Sequence, residues 1–245
     1  MAGTLYLVPT PIGNLEDMTF RAIQVLKSAD LIIAEDTRTS GKLLKHFQIE
    51  TPIKAYHSFN EHQSTPYWIG QLSQGVNIAM ISDAGTPGIS DPGYLLVHAC
   101  HEAKINITCL PGATAFVPAL VSSGLPTDKF YFEGFLPHKK GRQTRLLYVS
   151  NLPCTTILYE SPNRLIKCLE ELALHCGKDR KATVVREISK IYEEVKHDTL
   201  EGLIRYFMKD GLAKGEIVVI LQGKTEQKLP KTNKYRHKSD RTEEE

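Results

Sequence analysis

The sequence predicts an α/β protein whose first half is a mostly parallel sheet with crossover helices. Three features carry that expectation. Short apolar, β-rich runs alternate with stretches whose apolar residues recur at helical spacing. Glycine- and proline-rich turns close several of those runs at their carboxyl ends. The chain has 245 residues, 41% hydrophobic and 24% charged, which is ordinary for a globular protein and long enough to bury a core.

The elements follow in order. Leu5–Pro9 is an apolar run ended by Pro9-Thr-Pro-Ile-Gly-Asn14. Met18–Leu26 has helical spacing, Asp30–Ala34 is β-rich, Thr39–Phe47 reads as a helix and Ile53–Tyr56 as a strand. Pro66–Leu72 reads as a helix and Ile78–Ile81 as a buried strand. Asp91-Pro92 supplies an N-cap with proline at the first helical position, opening a helix towards Ala103. Ile105–Leu110 is a strand closed by Pro111-Gly112.

The second half has a different texture. Ala115–Ser122 reads as a helix, and Phe130–Phe135, Thr155–Tyr159, Thr183–Arg186 and Glu216–Leu221 as strands. Helices are expected at Leu165–His175 and Leu200–Met208. Turn chemistry at Ser122-Ser-Gly-Leu-Pro126 sets a domain boundary within residues 112–126, dividing the chain into 1–115 and 116–225. Residues 226–245 include the Lys- and Arg-rich stretch Lys228–Arg241 and read as a disordered basic tail.

The formal charge is only +2, so affinity for nucleic acid must come from local patches. The five cysteines are scattered with no CxxC, which argues against a disulfide framework and a structural zinc site. Cys100, Cys109 and Cys168 lie among apolar residues and read as core. No signal-peptide pattern opens the chain and no run approaches a membrane span, so a reduced, cytoplasmic protein is expected.

Function is expected at the strand ends, because ligands of open α/β sheets bind beyond the carboxyl ends of the strands. Three such ends carry Pro9–Asn14, the twelve-residue loop Ser82–Gly93, and Pro111–Thr114. Glycine allows close backbone approach, and proline lowers the entropy lost on binding. Each loop alone could be a tight turn; three together point to a ligand site. None is GxxxxGK[ST] or GxGxxG, which excludes a P-loop and a dinucleotide fingerprint. No HExxH or EF-hand pattern occurs, so no metal is expected.

These residues resemble a known family. Val8–Leu15, Ala34-Glu-Asp-Thr-Arg38, Ser82–Gly93, Leu110–Ala113 and Glu133–Pro137 are similar to motifs of the tetrapyrrole (corrin/porphyrin) methylase superfamily. Within it they resemble the branch of small-subunit ribosomal RNA cytidine-2′-O-methyltransferases. Tyr159-Glu-Ser-Pro162 with Arg164, Arg186-Glu187 with Lys190, and Lys214–Ile217 extend the likeness over about residues 4–223. It implies a two-domain fold with a mixed C-terminal sheet, S-adenosylmethionine in the interdomain cleft, a homodimer, and 16S rRNA or the small ribosomal subunit as partner. Donor-binding positions carry over to Ile12, Gly13, Ile81, Ser82, Asp83, Ala84, Gly85, Thr114 and Ala115. In the second half they carry over to Tyr159, Glu160, Arg186, Gly215 and Glu216. Asp83 has a second reading as a turn-capping residue. Asn14 stands where many porphyrin-modifying relatives have aspartate, which fits the RNA branch.

Methyl transfer to a ribose hydroxyl needs a positioned nucleophile and a proton acceptor. Glu35-Asp36-Thr37-Arg38 and His57-Ser-Phe-Asn60-Glu61 both follow strands and mark the RNA branch. Asp36 and Glu61 are the first candidates for the base or hydroxyl-orienting group, with Glu35, His57 and Asn60 beside them and Arg38 as a phosphate clamp. Each has a plainer reading as a helix cap, a surface ion pair or a packed residue. Lys139, Lys140, Arg142, Arg145, Arg164 and Lys190 form the local supply of cations for RNA. Phe130, Tyr131, Phe132 and Phe135 read as core more than as stacking platforms. Two other functions fit the same fold: methylation of a small tetrapyrrole, and donor binding by a noncatalytic ribosome-assembly factor.

Overall fold

The computed structural model describes residues 1–209 and 214–224. The expected tail, 226–245, lies outside the described residues.

The first half forms one sheet from β1 (Thr4–Leu7), β2 (Leu31–Ala34), β3 (Ile53–Ala55), β4 (Ile78–Ile81) and β5 (Asn106–Cys109), ordered β3-β2-β4-β1-β5. Every pairing in it is parallel. Side chains alternate across a strand, so consecutive residues feed opposite faces. Ile32, Ala34, Ala79 and Ile81 pack on one face with Ala22 and Leu26 of α1 (Phe20–Ser28) and Leu44 of α2 (Thr37–His46). Ile33, Ile78 and Met80 pack on the other with Trp68 and Leu72 of α3 (Glu61–Ser73) and Leu96 and Cys100 of α4 (Tyr94–Glu102). That double cover is why β4 is apolar at every position.

The second half is a mixed sheet of β6 (Phe130–Phe135), β7 (Thr155–Glu160), β8 (Lys181–Arg186), β9 (Glu194–Thr199) and β10 (Ile217–Leu221), ordered β6-β7-β10-β8-β9. β6 runs parallel to β7; the other pairs are antiparallel. Ala119 and Leu120 of α5 (Phe116–Ser122) pack with Ile157, Val185, Val218 and Ile220 on one face. Leu146, Leu169, Leu172, Leu203 and Phe207 cover the opposite face from α6 (Arg142–Asn151), α7 (Leu165–Cys176) and α8 (Leu200–Lys209).

Several expectations are corrected. α6 and β9 have no counterpart among the expected elements. β9 is Glu-Val-Lys-His-Asp-Thr, a strand whose polar residues suit a sheet edge and hide its period. α3 begins at Glu61, not Pro66. Proline suggested a first turn, but here it sits inside the helix and removes one backbone donor. α4 begins at Tyr94 after Gly93, whose φ of 143° suits only glycine, so Asp91 is not its cap. Cys109 is exposed, not core, and all five cysteines are free thiols. None of the four β6 aromatics is fully buried: Phe130 and Phe135 are exposed, and Tyr131 and Phe132 half-buried.

Candidate active site

The three glycine-proline loops are bonded to one another. Thr10 and Gly85 exchange backbone hydrogen bonds of 2.9 Å in both directions. The Thr86 hydroxyl donates to the Ala113 carbonyl at 3.0 Å. Asp83 accepts from the backbone N–H of Asp36 at 3.2 Å, tying the loop after β4 to the loop after β2. Its carboxylate therefore links two strand ends.

These loops wall one side of a cavity of about 490 Å³ whose other side comes from the second sheet. That size is in the range of small-molecule sites. Ile12, Ile89, Phe135, Tyr159, Ile188 and Val218 supply apolar wall. Glu35, Asp83, Asp91, Glu160 and Glu216 supply carboxylates, and none of the described lining residues is lysine or arginine. An apolar wall with Glu35, Asp83 and Asp91 outside the ion pairs that hold Glu160 and Glu216 suits a ligand that is partly aromatic and positively charged. S-adenosylmethionine, with an adenine ring, a sulfonium and an ammonium, fits that description.

The acids are not equivalent. Burial first, then the charges of Glu35 and Asp83, push Asp91 up to about 7, with hydrogen bonding from Ser82 opposing. Burial first, then Asp83, also raises Glu35, with His57 opposing and Asp36 adding. Asp36 is the reverse. Its side chain caps α2, accepting from the Arg38 N–H at 2.8 Å, and meets the Arg38 guanidinium at 2.8 and 3.1 Å. Those bonds hold its carboxyl at about 2, so it is a weak proton acceptor. Glu35 and Asp91 line the cavity and are shifted upward, whereas Asp36, expected first as the base, does not line it and is held low by Arg38.

Of the residues expected to meet the donor, Ile12, Asp83, Ala84, Gly85, Thr114, Ala115, Tyr159, Glu160, Gly215 and Glu216 line the cavity. Gly13, Ile81, Ser82 and Arg186 do not. Gly13 lies against the Lys190 stem, which a Cβ there would overlap. Ile81 is buried strand. The buried Ser82 hydroxyl donates to the Ala84 and Gly85 carbonyls at 3.4 Å. Arg186 pairs with Glu194 at 3.0 Å.

Of the catalytic candidates only Glu35 lines the cavity. Asn60 accepts from the His57 N–H at 2.8 Å and donates to the Ala55 carbonyl at 3.3 Å, a turn-holding role. Glu61 opens α3, and its carbonyl accepts from Thr65 at 2.6 Å. Arg38 is paired with Asp36, yet its side chain is 88% exposed.

The expected RNA cations divide. Arg142 is buried, 2.6 Å from Glu171 and 3.7 Å from Glu160, with its guanidinium also donating to the Pro137 carbonyl at 3.2 Å. It cannot reach a phosphate, and that expectation is corrected. Arg145 is half-buried on Glu133, Arg164 meets Glu160 at 2.8 Å, and Lys190 meets Glu187 and Glu216 at 2.9 and 3.1 Å. Lys139 and Lys140 are exposed and form no ion pair among the described residues. Asp91 was missed as a site residue because an Asp-Pro pair imitates a helix start; Gly93 after it was the available signal.

A parallel sheet with an acid-lined cavity at its strand ends defines an α/β protein built to hold a small cationic molecule. The chain belongs to the Tetrapyrrole (Corrin/Porphyrin) Methylases, whose family model matches residues 4–204. It is 51% identical over 229 residues to the ribosomal RNA small subunit methyltransferase I of Synechocystis sp., covering 93% of this chain and 82% of the relative. A relative of the same name from Vibrio cholerae is 46% identical, covering 94% and 81%. Uroporphyrin-III C-methyltransferase from Thermus thermophilus, solved with S-adenosyl homocysteine, shares the fold at a TM-score of 0.61 and 18% identity, covering 90% of this chain and 97% of that one. Among the described residues no group of three or more His, Cys, Asp or Glu could hold a metal ion, and no helix is long and apolar enough to cross a membrane.

Proposed function

We propose that this chain is an S-adenosylmethionine-dependent methyltransferase acting on the ribose 2′-oxygen of a cytidine in small-subunit ribosomal RNA. The observation that carries the reading is 51% identity, over 93% of the chain, to a relative named for methylating that RNA. The acid-lined cavity agrees with it.

The donor, when bound, supplies a methyl group already activated on a sulfonium. What remains for the protein is to position the hydroxyl and take its proton. Asp91, which lines the cavity with Glu35, takes that proton at a carboxylate oxygen, and a group near 7 is matched to neutral pH. Glu35, close enough to raise Asp91, orients the hydroxyl. Lys139, Lys140 and Arg38 offer exposed cations to the RNA backbone.

The division into 1–115 and 116–225 is part of this reading, supported by the packing of α5 on the second sheet. So is a homodimer, supported by the exposed Val117 and Val121 one turn apart on α5. A ribosomal substrate goes with a cytoplasmic location. The test is to incubate the protein with labelled donor and small ribosomal subunits, then map 2′-O-methyl marks by mass spectrometry. A new mark on one cytidine is expected. Label entering a tetrapyrrole but not RNA, or donor binding with no transfer, would overturn the reading.

A further inference from the structure

We propose that Phe59 is the platform on which the base of the target nucleotide stacks, an inference that rests on the RNA reading above. Phe59 is 94% exposed, on the turn between β3 and α3. An isolated exposed phenyl needs no explanation, but this one is held out by a built turn. The His57 N–H donates to the Asn60 side chain at 2.8 Å, and the Asn60 and Glu61 N–H groups both donate to the His57 carbonyl at 2.9 Å. Asn60 is further anchored on the Ala55 carbonyl at 3.3 Å. A turn fixed at both ends presents its apex side chain at little further entropic cost on binding.

The turn stands beside the cavity. β3 lies parallel to β2 with Ala34 opposite Ala55, and the Tyr56 N–H donates to the Ala34 carbonyl at 2.8 Å. The register therefore puts the residues after Ala55 next to Glu35 and Asp36. His57 is among the groups that act electrostatically on cavity-lining Glu35, and the His57 and Phe59 rings meet edge-on, centroids 6.1 Å apart at 65°. An edge contact leaves both faces of the phenyl open. Tyr94, also exposed, is already stacked on His98 at 5.8 Å and 8°.

Glu35, Arg38 and Phe59 then lie at adjacent strand ends with the three chemistries one nucleotide requires. A carboxylate addresses the ribose hydroxyl, a guanidinium the phosphate, and a flat ring the base. Single-stranded RNA is recognised by splaying a base onto an aromatic side chain, and a pyrimidine stacks without needing hydrogen bonds to it.

The test uses the full chain with small ribosomal subunits, donor saturating. Phe59→Ala should weaken subunit engagement about tenfold in kcat/KM, the scale of losing one stacked base, with thermal stability and donor affinity unchanged. Phe59→Trp should restore activity, whereas Phe59→Leu, apolar but not flat, should not. Unchanged methylation by Phe59→Ala, or full rescue by leucine, overturns the stacking role. Absence of RNA methylation by the wild-type protein overturns the functional reading beneath it, a result that cannot be confused with failure of the platform.

Discussion

A carboxyl group held near neutral titration is a stability liability, and for Asp91 the proposed reaction also makes it the proton acceptor. Its ordinary value is 3.8 and its folded value about 7, so the folded state keeps its proton over a range where the unfolded chain has lost it. That contribution to stability is full below about pH 4 and is lost as pH rises through 7. Asp91→Asn should therefore be more stable than wild type at pH 8 and equal to it at pH 4. After discounting for the solvent that still reaches the group, the gain is roughly 1–2 kcal/mol. Urea melts at the two pH values check this. The same variant should lose about 10²-fold in single-turnover rate, and the wild-type rate should climb through pH 7 to a plateau. A variant that is stabilised yet fully active would make Asp91 a bystander. Asp36 gives the contrast: asparagine is an equally good helix cap, so Asp36→Asn should methylate at close to the wild-type rate, while Glu35→Gln should be slowed.

At the scale of elements, loops carry the site and helices carry what the loops hang on. Gly85 has φ +82° and faces the cavity, with Ile12 Cγ2 3.5 Å from where a Cβ would stand. Gly85→Val adds a β-branched side chain in the left-handed region, at a cost of about 1–3 kcal/mol. Its branches would occupy ligand space, so calorimetry should find donor binding abolished while the variant remains folded. The start of α6 and the loop before it carry two kinds of cation. Removing Arg142 leaves Glu171 and Glu160 without their buried partner, which typically destabilises by about 3–5 kcal/mol. Arg142→Ala should thus melt early, with no change in the salt dependence of RNA binding if it is measured below the melt. Lys139→Ala with Lys140→Ala should do the opposite. The melting temperature should hold, and the plot of log affinity against log salt should flatten by about one unit of slope for each phosphate no longer neutralised. An unchanged slope would remove this loop from the RNA surface.

At the scale of the whole molecule, the cavity belongs to neither sheet alone. Ile12, Asp83 and Asp91 come from the first half, and Tyr159, Glu160 and Val218 from the second. A ligand there is released when either half unfolds, so its binding energy stabilises both. S-adenosylhomocysteine at about a hundred times its Kd should add roughly 2.7 kcal/mol, shifting a single calorimetric transition upward. Two transitions of which only one moves would mean that one half holds the ligand unaided. The ties between halves are already present in the protein alone. Ser189 bonds to Asp17, and the Lys190 stem lies on Gly13.

What the sequence determined by itself was whatever depends on neighbours along the chain. The β-rich run at Asp30–Ala34 was readable, as were the mostly parallel first sheet and the glycine-proline loops. Motif likeness added the family and ten of the cavity-lining residues. Elements without a clean period, α6 and β9, were not readable, because their form comes from the sheet and helices they pack against. Only the tertiary structure decided the electrostatic roles. Asp36 and Asp91 are the same residue type in similar loops, yet one is pinned by an arginine two positions away and the other is half-buried within the influence of Glu35 and Asp83. Arg142 and Lys140 sit two positions apart, one buried against Glu171 and the other in water. Charge and burial at a site are sums over groups distant in sequence, so the order of residues names the acids while the fold alone sets which of them can hold a proton at neutral pH.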